Sequence, residues 1–206
     1  MAVKEGLVYC YTGDGKGKTT AALGVALRAI GQGWRAYMIQ FMKGGMYTGE
    51  FLAASRFLKG LLTIRQFGRG CIKQKRQYTL DSFEEKVVAE SVRDDVECGE
   101  CRYCFLNDEQ QADFCRQGLH HAGVVLGSGD YELVILDEIN VAVSLGFIKE
   151  EEVLALLDGR PAGVTVVLTG RNAPSSFIER ADLVSDVVEV KHPFQKGVLA
   201  RKGLEW

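Results

Sequence analysis

An α/β fold, with a mostly parallel sheet and helices on both faces, is what this chain of 206 residues predicts. Three observations lead there. Short apolar runs recur along the chain, and helical stretches separate most of them. The runs lack the clean apolar/polar alternation of a strand with one wet face, so they read as strands buried on both sides, the habit of parallel sheets. The first run also opens into a glycine-rich turn followed at once by a helix dense in Ala and Leu.

Taken in order, the first strand is "LVYCY" (7–11), and the helix after the turn is "TTAALGVALRAI" (19–30). Gly31 and Gly33 stop that helix, because glycine enters the left-handed conformation of a helix end without a Cβ penalty. "RAYMIQF" (35–41) is a second buried strand, closed by the turn at Gly44-Gly45, and "LLTIRQF" (61–67) is a third. "ELVILDE" (132–138), "VTVVLTG" (164–170) and "DLVSDVVEV" (182–190) supply three more, with a helix over "KEEEVLALL" (149–157). With no internal repeat and no linker, residues 1–206 read as a single domain. The stretch from Gly70 through the cysteine-bearing region is polar and charged, and it reads as an insertion over the strand ends, within 70–115.

Composition narrows the class. Apolar residues are 47% and charged residues 25%, with three prolines, which suits a packed domain of ordinary size. A net charge of -2 gives no broad electrostatic reason to expect nucleic acid or a membrane surface as partner. The start "MAVKEGLVYCYTG" runs into the first strand without a signal-peptide cleavage region, and the apolar runs are short for a membrane span. A cytoplasmic protein is the expectation, and its six cysteines then read as thiols, metal ligands or small core residues before disulfides.

The turn after the first strand, "TGDGKGKTT", carries the chemistry. It approximates the phosphate-binding pattern of Gly, four residues, then Gly-Lys-Ser/Thr, except that the first glycine is displaced to Gly13 and Thr12 takes its place. Gly13, Gly15 and Gly17 let the backbone curl so that successive N–H groups face an anion, and the helix that follows adds its positive end. Lys16 and Lys18 bring charge to phosphates, the Thr19 hydroxyl is suited to Mg²⁺, and Thr20 follows it. Asp14 is unexpected in an anion nest, where Lys16 is placed to offset it. Further on, a hydrophobic strand ends in Asp137-Glu138, the acidic pair a nucleotide-bound metal calls for. A fold like that of the P-loop NTPases follows.

Several segments together resemble one family. "YTGDGKGKTTAALGVALRAIGQG", "IQFMKG", "LVILDEINVAVSLGFI", "RPAGVTVVLTGRNAP" and "ADLVSDVVEVKHPFQKGVLARKGLEW" occur in the order found in the ATP:corrinoid adenosyltransferases of cobalamin biosynthesis and salvage. The displaced glycine is normal for that family, which usually has Asn where this chain has Asp14. The resemblance implies a reaction in which a reduced corrinoid, with cobalt as Co(I), attacks the 5′ carbon of ATP and expels triphosphate. It implies ATP lying along the loop in the reverse sense to ordinary NTPases, a reductase that supplies electrons, and a homodimer. Carried over residue by residue, it gives Lys18 and Glu138 the central roles, with Thr19 and Glu138 on Mg²⁺ and Asp137 as a ligand through water or a support for Thr19. Arg28, Arg171 and His192 are candidates for nucleotide or corrinoid contact, each with an alternative as a surface, capping or locally packed residue.

The chain departs from the family at "GCIK" (70–73), where Gly-Phe-Thr-Trp is usual and its two rings handle the corrinoid's lower face. Tyr78, Phe83, Tyr103 and Phe105 are possible substitutes. Nearby, "ECGECRYCF" places Cys98, Cys101 and Cys104 at the two-residue gaps of zinc or iron–sulfur ligands. Cys71 is the first choice of fourth ligand and Cys115 the alternative, with His120 and His121 in reserve; Cys10, inside the first strand, reads as core. Two rival functions stand beside the transferase: an ATPase or kinase of the P-loop class, and a nucleotide- and metal-binding sensor without transfer activity.

Overall fold

Runs of β-branched and large apolar residues make the strands, and in the computed structural model, which describes residues 5–45, 48–69, 109–198, 201, 203 and 204, there are six of them. They are β1 (Val8–Thr12), β2 (Ala36–Phe41), β3 (Leu62–Phe67), β4 (Leu133–Asp137), β5 (Thr165–Thr169) and β6 (Leu183–Asp186). The helices are α1 (Lys18–Gly31), α2 (Gly49–Phe57), α3 (Glu109–Ser128), α4 (Ile139–Ser144), α5 (Glu150–Asp158) and α6 (Ser175–Arg180), followed by a short 3₁₀ turn (Pro193–Lys196). The strands form one sheet in the order β3-β2-β4-β5-β1-β6, and every pairing in it is parallel.

Alternate residues of each strand point to opposite faces, so a parallel sheet needs two cores. Tyr37, Ile39 and Phe41 of β2 face one way and join Val134 and Leu136 of β4, with Cys115, Ala122 and Val125 of α3 and Val153 and Leu157 of α5 above them. Ala36 and Met38 face the other way, with Ile135 of β4, Ala22 and Ala26 of α1 and Ala54 of α2. Each fully buried Leu, Ile or Phe contributes about 1.5–3 kcal/mol. The small residues on α1 let that helix approach the sheet closely.

The first five strands agree with expectation to within a residue or two at each end. The sixth is shorter than 182–190. It stops at Asp186 because the next residues leave the sheet to lie against the loop after β1, where the Gly15 amide donates to the Val187 carbonyl at 2.6 Å. Val190, expected inside a strand, is 85% exposed. Of the insertion expected within 70–115, residues 70–108 lie outside the described residues; from Glu109 on the chain is helix α3, with Cys115 in the core.

Candidate active site

The carboxyl ends of parallel strands gather the binding groups of an open α/β sheet. Here β1 runs into the glycine loop, β2 into Lys43, β4 into Asp137-Glu138 and β5 into Gly170-Arg171. These ends and the starts of α1 and α2 enclose a cleft of about 440 Å³. Asp14, Gly15, Lys16, Gly17, Lys18, Thr19 and Thr20 all line it, and so do Glu138, Arg171 and His192. The segments meeting there are far apart in sequence, so the cleft exists only in the folded chain.

Lys18 begins α1 and is 7% exposed. Its Nζ donates to the Gly13 carbonyl at 2.6 Å and the Gly15 carbonyl at 2.7 Å, which ties the loop into a closed turn. Burial pushes this ammonium's pKa down, while the charges of Glu138, Asp14 and Asp186 oppose that shift. Gly17 precedes the helix at φ 118°, a left-handed value that favours glycine.

Beneath the loop lies the acidic pair. Asp137 is 0% exposed and four donors converge on it. Its Oδ1 accepts from the hydroxyls of Thr19 at 2.7 Å and Thr169 at 2.8 Å. Its Oδ2 accepts from Lys43 Nζ at 2.9 Å and Gln40 Nε2 at 3.1 Å. Burial alone raises a carboxyl's pKa; here the Lys43 charge and the bonds from Lys43, Thr19 and Thr169 outweigh it and hold Asp137 below its ordinary value. Glu138 goes the other way. Burial raises it first and the neighbouring Asp137 charge raises it further, with Lys43, Lys18 and Arg171 only partly offsetting.

Three non-glycine residues have left-handed backbones among the described residues: Met42 at φ 60°, Glu138 at φ 64° and Asn172 at φ 55°. Each stands at the carboxyl end of a strand beside a cleft residue, or is one itself. Such conformations cost about 1–3 kcal/mol and persist where surrounding structure enforces them, commonly at functional sites. At β4 the enforcement is visible: the Glu138 amide donates to Thr169 Oγ1 at 3.0 Å, and Asn140 Nδ2 donates to the Gly170 carbonyl at 3.1 Å.

The chain matches the family described as ATP:corrinoid adenosyltransferase BtuR/CobO/CobP over residues 4–103 and 80–206. It belongs to that family. The corrinoid adenosyltransferase of Escherichia coli (strain K12) is 32% identical over 203 residues, covering 98% of this chain and 87% of that protein. The corrinoid adenosyltransferase of Pseudomonas aeruginosa is 30% identical over 205 residues, covering 98% and 85%. The corrinoid adenosyltransferase CobA of Salmonella typhimurium is 30% identical over 203 residues, covering 98% and 87%.

For an adenosyltransferase of this family, the displaced glycine now has a local reason. Gly13 sits at φ 94°, and a Cβ there would collide with the Asp186 carboxylate and approach the Val187 carbonyl oxygen to 2.6 Å. A Cβ on Gly15 would meet the same oxygen at 2.6 Å. The loop is pressed against the chain leaving β6, and glycine is demanded by that contact. Thr12, where the usual pattern has glycine, ends β1 and accepts the Ala173 amide on Oγ1 at 3.2 Å. Gly13→Ala is therefore expected to lower stability by about 1–3 kcal/mol and to loosen the loop, read as a fall in Tm together with weaker ATP binding.

Other residues singled out in the sequence fall elsewhere. Arg28 is exposed in the last turn of α1 and does not line the cleft, a position where a cation favours the helix's negative end. His192 does line it, with Nδ1 accepting the Phe194 amide at 3.1 Å, which leaves Nε2 to carry the proton of the neutral ring. Cys10 is core, as expected. Cys115, named as an alternative metal ligand, is 0% exposed in the core beneath α3, and burial pushes its thiol up to about 12. That is the signature of an inert packing thiol. Cys71, Cys98, Cys101 and Cys104, with Tyr78, Phe83, Tyr103 and Phe105, lie outside the described residues. Among the described residues, no group of three His, Cys, Asp or Glu side chains is arranged to hold a metal, and no helix is long and apolar enough to cross a membrane.

The groups present do suit a Mg²⁺ ion that arrives with a nucleotide. Lys16, Lys18, Lys43 and Arg171 on the walls face Asp14, Glu50 and Glu138, so the protein's own charges leave a triphosphate largely uncompensated. Glu138 is a half-buried hard oxygen donor following the buried Asp137, and Thr19 offers its hydroxyl oxygen to the same cleft. Gln40 and Lys43 fall in the family segment "IQFMKG", but neither they nor Glu50 and Gln66 are given a role by the sequence; that role is visible only once β2, β3, β4 and the start of α2 lie together.

Proposed function

We propose that this cleft binds ATP by its triphosphate and presents the ribose 5′ carbon to the Co(I) centre of a reduced corrinoid. The supporting observation is the closed glycine loop, with Lys18 inside it and Thr19 bound to Asp137, in a chain of the ATP:corrinoid adenosyltransferase family. Cobalt supplies both electrons of the new Co–C bond. The C5′–O bond breaks, its electron pair leaves on oxygen, and the products are the adenosylated corrinoid and inorganic triphosphate.

Such a step needs no general base, because Co(I) is itself a strong nucleophile. The protein's tasks are to align two reactants and to stabilise a leaving group of rising charge. Loop N–H groups within residues 13–19, other than the Gly15 amide that is already bonded to the Val187 carbonyl, meet the phosphates together with Lys16, Lys18 and Arg171. Thr19 with Glu138 would hold Mg²⁺, which when bound withdraws charge from the departing oxygens. Asp137 fixes Thr19 rather than touching the ion, since its lone pairs are already taken. His192 offers a single N–H donor at the rim. An electron donor that reduces the corrinoid precedes this step, and a cytoplasmic homodimer completes the reading.

The test is the identity of the product. Incubation with ATP, Mg²⁺ and chemically reduced cobalamin is expected to yield a light-sensitive cobalt–carbon product and one equivalent of triphosphate by ion chromatography. ADP and phosphate as the main products would instead assign attack at phosphorus and overturn the reading.

A further inference from the structure

Lys43 lies in the cleft wall but reaches inward, 2.9 Å from Asp137 Oδ2 and 3.7 Å from Glu50 Oε1. Around it runs a chain of directed hydrogen bonds. Gln66 Nε2 donates to Gln40 Oε1 at 2.8 Å, which sets the orientation of the Gln40 amide. The Gln40 NH₂ must then point at the two acids, and it donates to Glu50 at 2.9 Å and Asp137 at 3.1 Å. Lys43 completes the set by supplying the positive charge that a fully buried carboxylate requires.

The backbone is shaped to deliver this side chain. Met42, directly before it, is held at φ 60° while its amide donates to the Phe67 carbonyl at 2.8 Å. A Cβ on Gly68 would meet the Lys43 amide nitrogen at 2.5 Å, and one on Gly44 would meet the Arg69 carbonyl carbon at 2.7 Å. Neighbouring strand ends thus interlock through glycines and a strained residue, and what they place is Lys43.

The consequence reaches the nucleotide through Thr19. With Gln40 and Lys43 holding Oδ2, the Asp137 carboxylate cannot rotate, and its Oδ1 stays under the Thr19 hydroxyl at 2.7 Å. The single hydroxyl proton is committed to Asp137, so the oxygen's lone pairs are left for the cleft side. Partners one step removed from a metal ligand orient it in this way, and their loss typically weakens metal binding 10- to 100-fold.

We propose that Lys43, placed by Gly68 and seated on Glu50, is a positioning residue for the Mg²⁺–ATP site, clamping Asp137 so that the Thr19 hydroxyl presents its oxygen to the divalent cation. The proposal rests on the nucleotide reading above. Lys43 acts through Asp137 and Thr19 and does not bind the phosphates itself.

Calorimetric titration of the full chain with ATP, once with excess Mg²⁺ and once with EDTA, separates these roles without any corrinoid. For Lys43→Met, the gain in ATP affinity conferred by Mg²⁺ is expected to fall about 10- to 100-fold, with affinity in EDTA changing only a few-fold. Lys43→Arg should recover much of the gain. Gly68→Ala, which displaces Lys43 while keeping its charge, should show the same loss and provides an independent variant if Lys43→Met does not fold. An equal loss with and without Mg²⁺ would mean that Lys43 contacts the nucleotide directly, and the proposal would fail. An undiminished Mg²⁺ gain in Lys43→Met or Gly68→Ala would also overturn it. If the unsubstituted protein binds no ATP under either condition, the nucleotide reading itself is wrong.

Discussion

Lys18→Ala is expected to abolish measurable ATP binding, with affinity falling about 100-fold or more as a charge-assisted phosphate contact is lost from a largely desolvated site. Two effects add. The ammonium that neutralises phosphate disappears, and so do the bonds that hold the Gly13 and Gly15 carbonyls at 2.6 and 2.7 Å. Without them the loop is free to turn its carbonyls, rather than its N–H groups, toward the anion. Lys18→Arg should not rescue fully, because a planar fork cannot occupy the place of a point charge inside a closed turn. Fluorescence or calorimetric titration with ATP is the measurement, and near-normal affinity for Lys18→Ala would mean the loop does not hold the triphosphate.

Glu138→Gln is expected to stop transfer while leaving corrinoid binding intact. The exchange is nearly isosteric and removes the charge that holds Mg²⁺, so kcat should drop about 100-fold or more. Stability should move the other way. Burial and the Asp137 charge both raise the Glu138 pKa, so its ionised form is disfavoured in the folded protein relative to the unfolded chain. That unfavourable contribution is present when the group is ionised, at neutral pH and above, and it disappears as falling pH protonates the carboxyl. Glutamine removes it at all pH values, so at neutral pH the Tm should stay level or rise while activity collapses. Near-normal turnover in this variant would overturn the metal assignment.

The elements that the sequence disclosed best are those whose signal is local. The glycine loop, α1 behind it and the β4 strand ending in two acids are short contiguous patterns, and each stands where expected, with the loop, Thr19 and Glu138 around one cleft. Arg28, whose family segment is contiguous with the loop, stands ten positions past Lys18 on a helix of 14 residues, at the end away from the loop. The sixth strand was overextended for a related reason. Val187, Val188 and Val190 have strand composition, but the backbone there must leave β6 to pack on Gly13 and Gly15.

What the sequence determined by itself was the class of site: residue spacing within a turn decides whether backbone N–H groups can converge, and that is settled over a few consecutive residues. What only the tertiary structure decided was the electrostatic state of the site. Gln40 of β2, Gln66 of β3, Lys43 in the loop after β2 and Glu50 of α2 converge on Asp137 at the end of β4. Whether a carboxylate is buried, how many donors it meets and which charge offsets it depend on strand order and register, β3-β2-β4 here. Charge interactions fall off over a few ångströms in space and are indifferent to separation along the chain, so they become legible only when the strands are side by side.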